Sequence, residues 1–176
     1  MKFSVNDLLR YSLVLAVICA GASASLGFVH AVTKDRIIAQ ARAEENSSLQ
    51  EVMPGAVTFE PVTQGEEIFY YKALAADSTV IGYCFKAQAK GYSSVIETVA
   101  GMLPDGTLTA IKVLSQNETP GLGTRVKEES FTSQFKGLFD VSGVHTIAGA
   151  TISSRAVISS VSARAREIKE AMRHGG

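Results

Sequence analysis

Thr146-Ile-Ala-Gly-Ala-Thr-Ile-Ser-Ser-Arg155 carries the chain from small and hydroxyl residues directly into an amphipathic helix. Beyond it Val157, Val161, Ala165, Ile168 and Met172 recur at helical spacing, while Arg155, Arg164, Arg166, Lys169 and Glu170 fall mostly off that stripe. The pattern predicts a closing helix from about Ser153 to Met172 with one face packed on a sheet. The first backbone N–H groups of a helix lack intrahelical partners and favour an anion. Ser153 and Ser154 are candidate N-caps, worth about 1 kcal/mol each in that role. Thr151 is open to three readings: a cap, a phosphate contact or a point of covalent attachment.

Upstream the period changes from helical to alternating. Phe59 to Ala89 alternates in strand fashion, with Phe69–Leu74 and Val80–Phe85 as strands either side of an Asp77-Ser78 turn. Cys84 falls inside the second strand as a buried, inert thiol. Lys90-Gly91-Tyr92-Ser93-Ser94 interrupts the pattern and reads either as an ordinary loop or as a place for an aromatic ring beside a cofactor. Val95–Met102 and Leu108–Leu114 form a further pair around Pro104-Asp105-Gly106. Phe131, Phe135 and Leu138 are spaced as the core of a short helix. Strands followed by helices make this an α+β domain with a mainly antiparallel sheet and flanking helices.

Tyr11 to Val32 contains no charged residue, and about 20 apolar residues span a bilayer as a helix. A membrane anchor over residues 1–32 is expected; a cleaved signal peptide ending near Ala22-Ser-Ala24 is the rival reading. Lys2 and Arg10 precede the span and Lys34, Arg36 and Arg42 follow it, so charge alone sets no orientation. Ala20, Gly21, Ala24 and Ser25 form a small-residue face suited to helix packing or, equally, part of a simple tether. Residues 33–54 continue as a juxtamembrane helix with sparse apolar positions (Ile37, Ile38, Ala41, Leu49, Val52) stopped by Pro54-Gly55. Residues 55–176 form the domain.

Composition narrows the function. The 176 residues carry 17 Lys+Arg against 17 Asp+Glu, and no basic stripe with interleaved aromatics points to nucleic acid. Cys19 and Cys84 lie in different surroundings, which argues against a disulfide, and His30, His145 and His174 have no metal-ligand spacing. Redox chemistry would require an imported cofactor.

Glu118-Thr119-Pro120-Gly121-Leu122-Gly123 followed by Ala148-Gly149-Ala150-Thr151-Ile152-Ser153-Ser154 resembles the FMN-binding domain of a known family. That domain is shared by the G subunit of the Rnf ion-translocating electron-transport complex and the C subunit of the sodium-pumping NADH:quinone reductase. The resemblance covers nearly the whole chain, and its length favours the Rnf protein over a component of the quinone reductase. It implies FMN bound covalently through a phosphoester on Thr151, attached by a separate flavin transferase with FAD as donor. Gly149, Ala150, Ile152, Ser153 and Ser154 would flank the phosphate. Glu118 to Gly123 and Gly91-Tyr92 would surround the ring and ribityl chain. Where the family usually has Asp six positions before the threonine and Ser or Thr three before it, this chain has His145 and Ala148. The Asp is part of what the transferase recognises.

The same resemblance implies an electron-transfer component, not an enzyme on its own, coupling ferredoxin and NAD electron flow to ion transport with other membrane and redox subunits. It places the domain on the outer face of the inner (plasma) membrane. Two other classes compete: a membrane-tethered binding or structural module without flavin, and a serine hydrolase using Ser153 or Ser154 with a distant His145 as base.

Overall fold

The structure is a computed structural model that describes residues 5–65 and 67–174, with the side chains at 5–9, 35, 38, 39, 41, 42 and 174 outside that description. Lys2, the side chains of Ile38, Ala41, Arg42 and His174, and the outer limits of the expected domains at Met1 and Gly176 therefore lie outside the described residues. The chain divides into two compact units, with the boundary after Glu44.

In the first unit, helix α1 (Val5–Val52) begins, and its segment Arg10–Lys34 has a mean hydropathy of 2.1 with none of its most apolar window buried. Two hydroxyls in that segment are tied to the helix itself: Ser25 Oγ donates to the Gly21 carbonyl at 2.9 Å and Thr33 Oγ1 to that of Val29 at 2.7 Å. A hydroxyl satisfied this way costs little in hydrocarbon, where backbone and side-chain donors must find partners within the protein. Residues 33–52 are helical, within the bounds of α1, and no proline or glycine interrupts the chain between Gly27 and Pro54.

The second unit is built on a five-stranded antiparallel meander in the order β1 (Thr58–Gln64), β2 (Glu67–Leu74), β3 (Val80–Lys90), β4 (Val95–Met102) and β5 (Leu108–Ser115). Short turns set this order. Asp77 Oδ1 accepts from the Thr79 N–H at 3.1 Å, and Asp105 Oδ1 from the Thr107 N–H at 2.8 Å, with Gly106 at a φ of 92° between β4 and β5. Period-two alternation then sends side chains to opposite faces. From β3, Phe85 enters the core under helix α3 (Thr151–His174) with Ile96, Ala100, Met102, Val157, Val161 and Ile168. Its neighbour Cys84 enters a second core on the other face with Leu49, Val52, Met53, Tyr71 and Val99.

Both cores bear on the sequence expectations. Cys84 is fully buried and its thiol is pushed up to about 12 by desolvation, so it is inert as expected, and both cysteines are free. Leu49 and Val52 are 1% exposed, so the end of α1 belongs to the domain's core. The Phe131 segment is one turn of α-helix, α2 (Glu129–Thr132), continued as a 3₁₀ turn over Ser133–Phe135. Both Phe131 and Phe135 are fully buried, with their rings edge to face.

Candidate functional site

The ends of three segments meet at the start of α3. The loop after β3 supplies Tyr92, the segment after β5 supplies Glu118, Thr119, Leu122 and Gly123, and the turn into α3 supplies Gly149, Ala150, Thr151, Ile152 and Ser153. Together they line a cleft of about 490 Å³. Ten of the fourteen sequence-predicted residues line it. Gly91 and Ser154 are buried behind its wall, while Pro120 and Gly121 are exposed on the outside of the turn. A larger cleft of about 670 Å³ lies between β2–β4 and α3, beside Arg164, but it gathers none of the motif residues and offers no helix terminus.

The helix entrance differs from the expected cap. The Ser154 N–H donates to the Ala150 carbonyl at 2.9 Å, so Ala150 is the capping residue and the helix starts at Thr151, two residues before the expected Ser153. Ser153 and Ser154 therefore sit inside the first turn and do not cap it. Ser154 Oγ donates back to the Ala150 carbonyl at 2.9 Å and accepts the Ile147 N–H at 3.1 Å. Ser153 Oγ donates to Glu118 Oε2 at 2.7 Å. Of the three hydroxyls, only that of Thr151 is exposed and free of a hydrogen bond among the described residues. Gly149, at a φ of 83°, supplies the left-handed turn before the helix, and a Cβ there would lie 3.3 Å from Leu122 Cδ2.

Glu118 is the residue whose role sequence pattern left unread. It is 5% exposed, and its Oε1 accepts the N–H groups of Ser93 and Ser94 at 3.0 and 2.9 Å and the Ser94 hydroxyl at 3.2 Å. Its Oε2 accepts the Tyr92 N–H at 3.1 Å as well as Ser153 Oγ. Burial alone would raise the carboxyl, but the Ser153 hydroxyl and the backbone donors of Ser94, Ser93 and Tyr92 hold it below the ordinary glutamate value. It is an anion built into the wall. The flanking glycines are explained by it: a Cβ on Gly91 would come within 2.7 Å of Oε1, and one on Gly123 within 2.7 Å of the Glu118 Cβ. Close approach to Glu118 requires glycine at both positions.

The open side of the cleft is apolar. Tyr92, Leu122 and Ile152 are 68%, 47% and 57% exposed around it, a planar-ring environment next to free helix N–H groups and an accessible hydroxyl. Such a donor set fits a flavin mononucleotide, with an anionic end at the helix and an aromatic end against the apolar rim. Arg155 is exposed and faces a different, shallower depression with Lys90 and Ser159. His145 is also exposed and outside the cleft, exchanging backbone hydrogen bonds with the Gln134 amide, and no histidine lines the cleft among the described residues. A Ser–His hydrolytic pair is therefore not assembled there.

The chain carries an FMN-binding domain: a family model described as the FMN-binding domain matches residues 91–165, and one described as the RnfG N-terminal region matches residues 1–52. The G subunit of the ion-translocating oxidoreductase complex of Methanosarcina acetivorans is 31% identical over 169 residues, covering 87% of this chain and 90% of that protein. The G subunit of the Na(+)-translocating ferredoxin:NAD(+) oxidoreductase complex of Acetobacterium woodii is 30% identical over 180 residues, covering 86% and 87% respectively. The crystal structure of NqrC from Shewanella oneidensis matches with a TM-score of 0.47 at 21% identity, covering 63% of this chain and 66% of that one. The chain belongs to the family of G subunits of ion-translocating oxidoreductase complexes.

Proposed function

We propose that this chain is the electron-carrying component of a membrane-bound, ion-translocating oxidoreductase complex of the Rnf type, with FMN held by a phosphoester on Thr151. The observation that carries this reading is the exposed, unbonded Thr151 hydroxyl at the first position of α3, inside the cleft where the two motifs converge. The family's relatives in Methanosarcina and Acetobacterium are named as members of such complexes, which supports other membrane and redox subunits as its partners.

FMN, when bound, supplies a ring that takes up and releases electrons. The protein supplies everything that keeps it in place. Thr151 provides the ester oxygen, and the N–H groups of the first turn of α3 face the phosphate's remaining negative charge. Tyr92, Leu122 and Ile152 flank the ring, and Thr119, Gly123, Gly149 and Ala150 complete the wall. The exposed positions of Pro120 and Gly121 suit the outside of the turn that presents Leu122. Covalent attachment removes dissociation, which suits a carrier on the outer face of the inner membrane, tethered by Arg10–Lys34 as one span and loaded during maturation by a flavin transferase that breaks the pyrophosphate bond of FAD, joins FMN to the Thr151 oxygen and releases AMP. Protease access from either side of sealed vesicles tests that placement, with digestion of the domain from the outer face as the expected result.

The test of the bond is a denaturing gel viewed under ultraviolet light, with the chain co-expressed with its transferase. Flavin fluorescence should survive denaturation in the wild type and vanish in Thr151→Val, and intact mass should show a single FMN added. Fluorescence persisting in Thr151→Val would move the attachment elsewhere.

A further inference from the structure

Glu118 lines the cleft but has little capacity left for a ligand. A carboxylate offers about four lone-pair sites, and this one already receives five donors: three backbone N–H groups from Tyr92–Ser94 and the hydroxyls of Ser94 and Ser153. Besides its charge, it can act on anything in the cleft through the groups it holds. On one side these are the loop bearing Tyr92. On the other is the third residue of α3, two positions after Thr151. A Cβ at Gly91 or at Gly123 would come within 3 Å of the Glu118 side chain, so both walls lie close against it.

We infer that Glu118 is a positioning residue for the flavin site: it clamps the Tyr92 loop to the first turn of α3 and, by occupying the Ser153 hydroxyl, leaves Thr151 as the free hydroxyl of that first turn. The inference rests on the proposed FMN site and adds a role for a residue whose contacts are all internal. A loosened clamp frees the Tyr92 side of the cleft from the helix side, so the attached ring loses its fixed surroundings and the hydroxyl its fixed approach. Ser153→Ala removes one clamp bond and leaves Glu118 on the loop. Glu118→Gln keeps the shape but turns an NH₂ group toward donors.

The experiment uses the full chain in detergent micelles, co-expressed with a flavin transferase, with loading followed by intact mass and the attached flavin by visible circular dichroism. Heat unfolding records whether each variant is folded. Ser153→Ala is expected to stay folded, to load several-fold more slowly and to show altered flavin dichroism. Glu118→Gln should load about tenfold more slowly, the loss expected for a charge-assisted hydrogen bond. Ser153→Thr, which restores a hydroxyl, should return the wild-type spectrum. A folded Ser153→Ala with the wild-type rate and dichroism overturns the inference, whether or not Glu118→Gln folds. A wild type that carries no flavin overturns the proposed function and this inference with it; a loaded wild type matched by Ser153→Ala overturns this inference alone.

Discussion

Two glutamates tie segments together, Glu118 the Tyr92 loop to the start of α3 and Glu45 the end of α1 to the sheet, and both carboxyls lie below the ordinary value for different reasons. Glu118 is buried and receives backbone N–H groups from one loop and a hydroxyl from a helix. Glu45 is partly open, and side chains answer it: Lys86 Nζ at 2.8 Å and the Tyr71 hydroxyl. For both, burial raises the carboxyl and hydrogen bonding outweighs it; at Glu45 the Lys86 and Tyr71 side chains supply the opposing effect. Backbone donors cannot rotate away or be screened, whereas a surface lysine can do both. Fixed geometry is thus found beside the cleft, and adjustable geometry where α1 joins the domain.

The sharpest way to break this contrast is Glu118→Ala. It strands three backbone N–H groups and a buried serine hydroxyl that have no other acceptor, and should cost about 3 kcal/mol or more in chemical unfolding. A loss under about 1 kcal/mol would mean that water replaces the carboxylate and that the two glutamates are alike. Titration gives a second view. Because the folded carboxyl of Glu118 is depressed, its contribution is fully present above the unfolded value of about 4.3 and is lost as pH falls through the lower folded value. The unfolding midpoint of the wild type should fall in that acid window, and Glu118→Gln should show a shallower fall, with the remainder due to groups such as Glu45.

The glycines around Glu118 are expected to give the next largest effect. In Gly123→Ala the new methyl group would lie 2.7 Å from the Glu118 Cβ and 2.9 Å from Ser153 Oγ. Overpacking of this kind costs about 1–3 kcal/mol. Gly143, whose Cβ would meet nothing within 4 Å, is the control, and Gly143→Ala should leave the melting curve nearly unchanged. Equal behaviour of the two variants would show that the wall around Glu118 yields.

These residues also mark where sequence reading stopped. The meander was legible because alternation and Asp-containing turns are local: β3, β4 and β5 fall where Val80, Val95 and Leu108 begin their runs. β1 was visible only as part of a longer alternating stretch, because Thr58–Gln64 is an edge strand with no fully buried residue and a proline at its centre. The cleft residues were found through motif resemblance, and ten of them line one cleft. The function of Glu118 and its glycines depends on a hydrogen bond between residues 35 positions apart, which no local pattern encodes. Helix start was misplaced for a related reason. Adjacent serines look like caps, yet at the third and fourth positions of α3 one serves a distant carboxylate and the other the preceding turn.

Glu45→Gln should have the smallest effect, and its character matters more than its size. The pair with Lys86 is partly exposed on both sides, at 26% and 35%, so solvent and salt weaken it and the loss should be about 1 kcal/mol or less. Its Tyr71 bond also keeps the phenol protonated: burial, with Glu45 adding to it, pushes that hydroxyl well above its ordinary value. A neutral glutamine can still accept from Tyr71, which retains much of the contact. Added salt should therefore reduce the difference between wild type and Glu45→Gln, while leaving the Glu118→Gln difference nearly unchanged. If salt erased both differences equally, backbone donors would confer no advantage over a lysine. If it erased neither, the Glu45 site would be as closed as the wall of the cleft, and the end of α1 would be fixed to the sheet as firmly as the start of α3 is fixed to its loop.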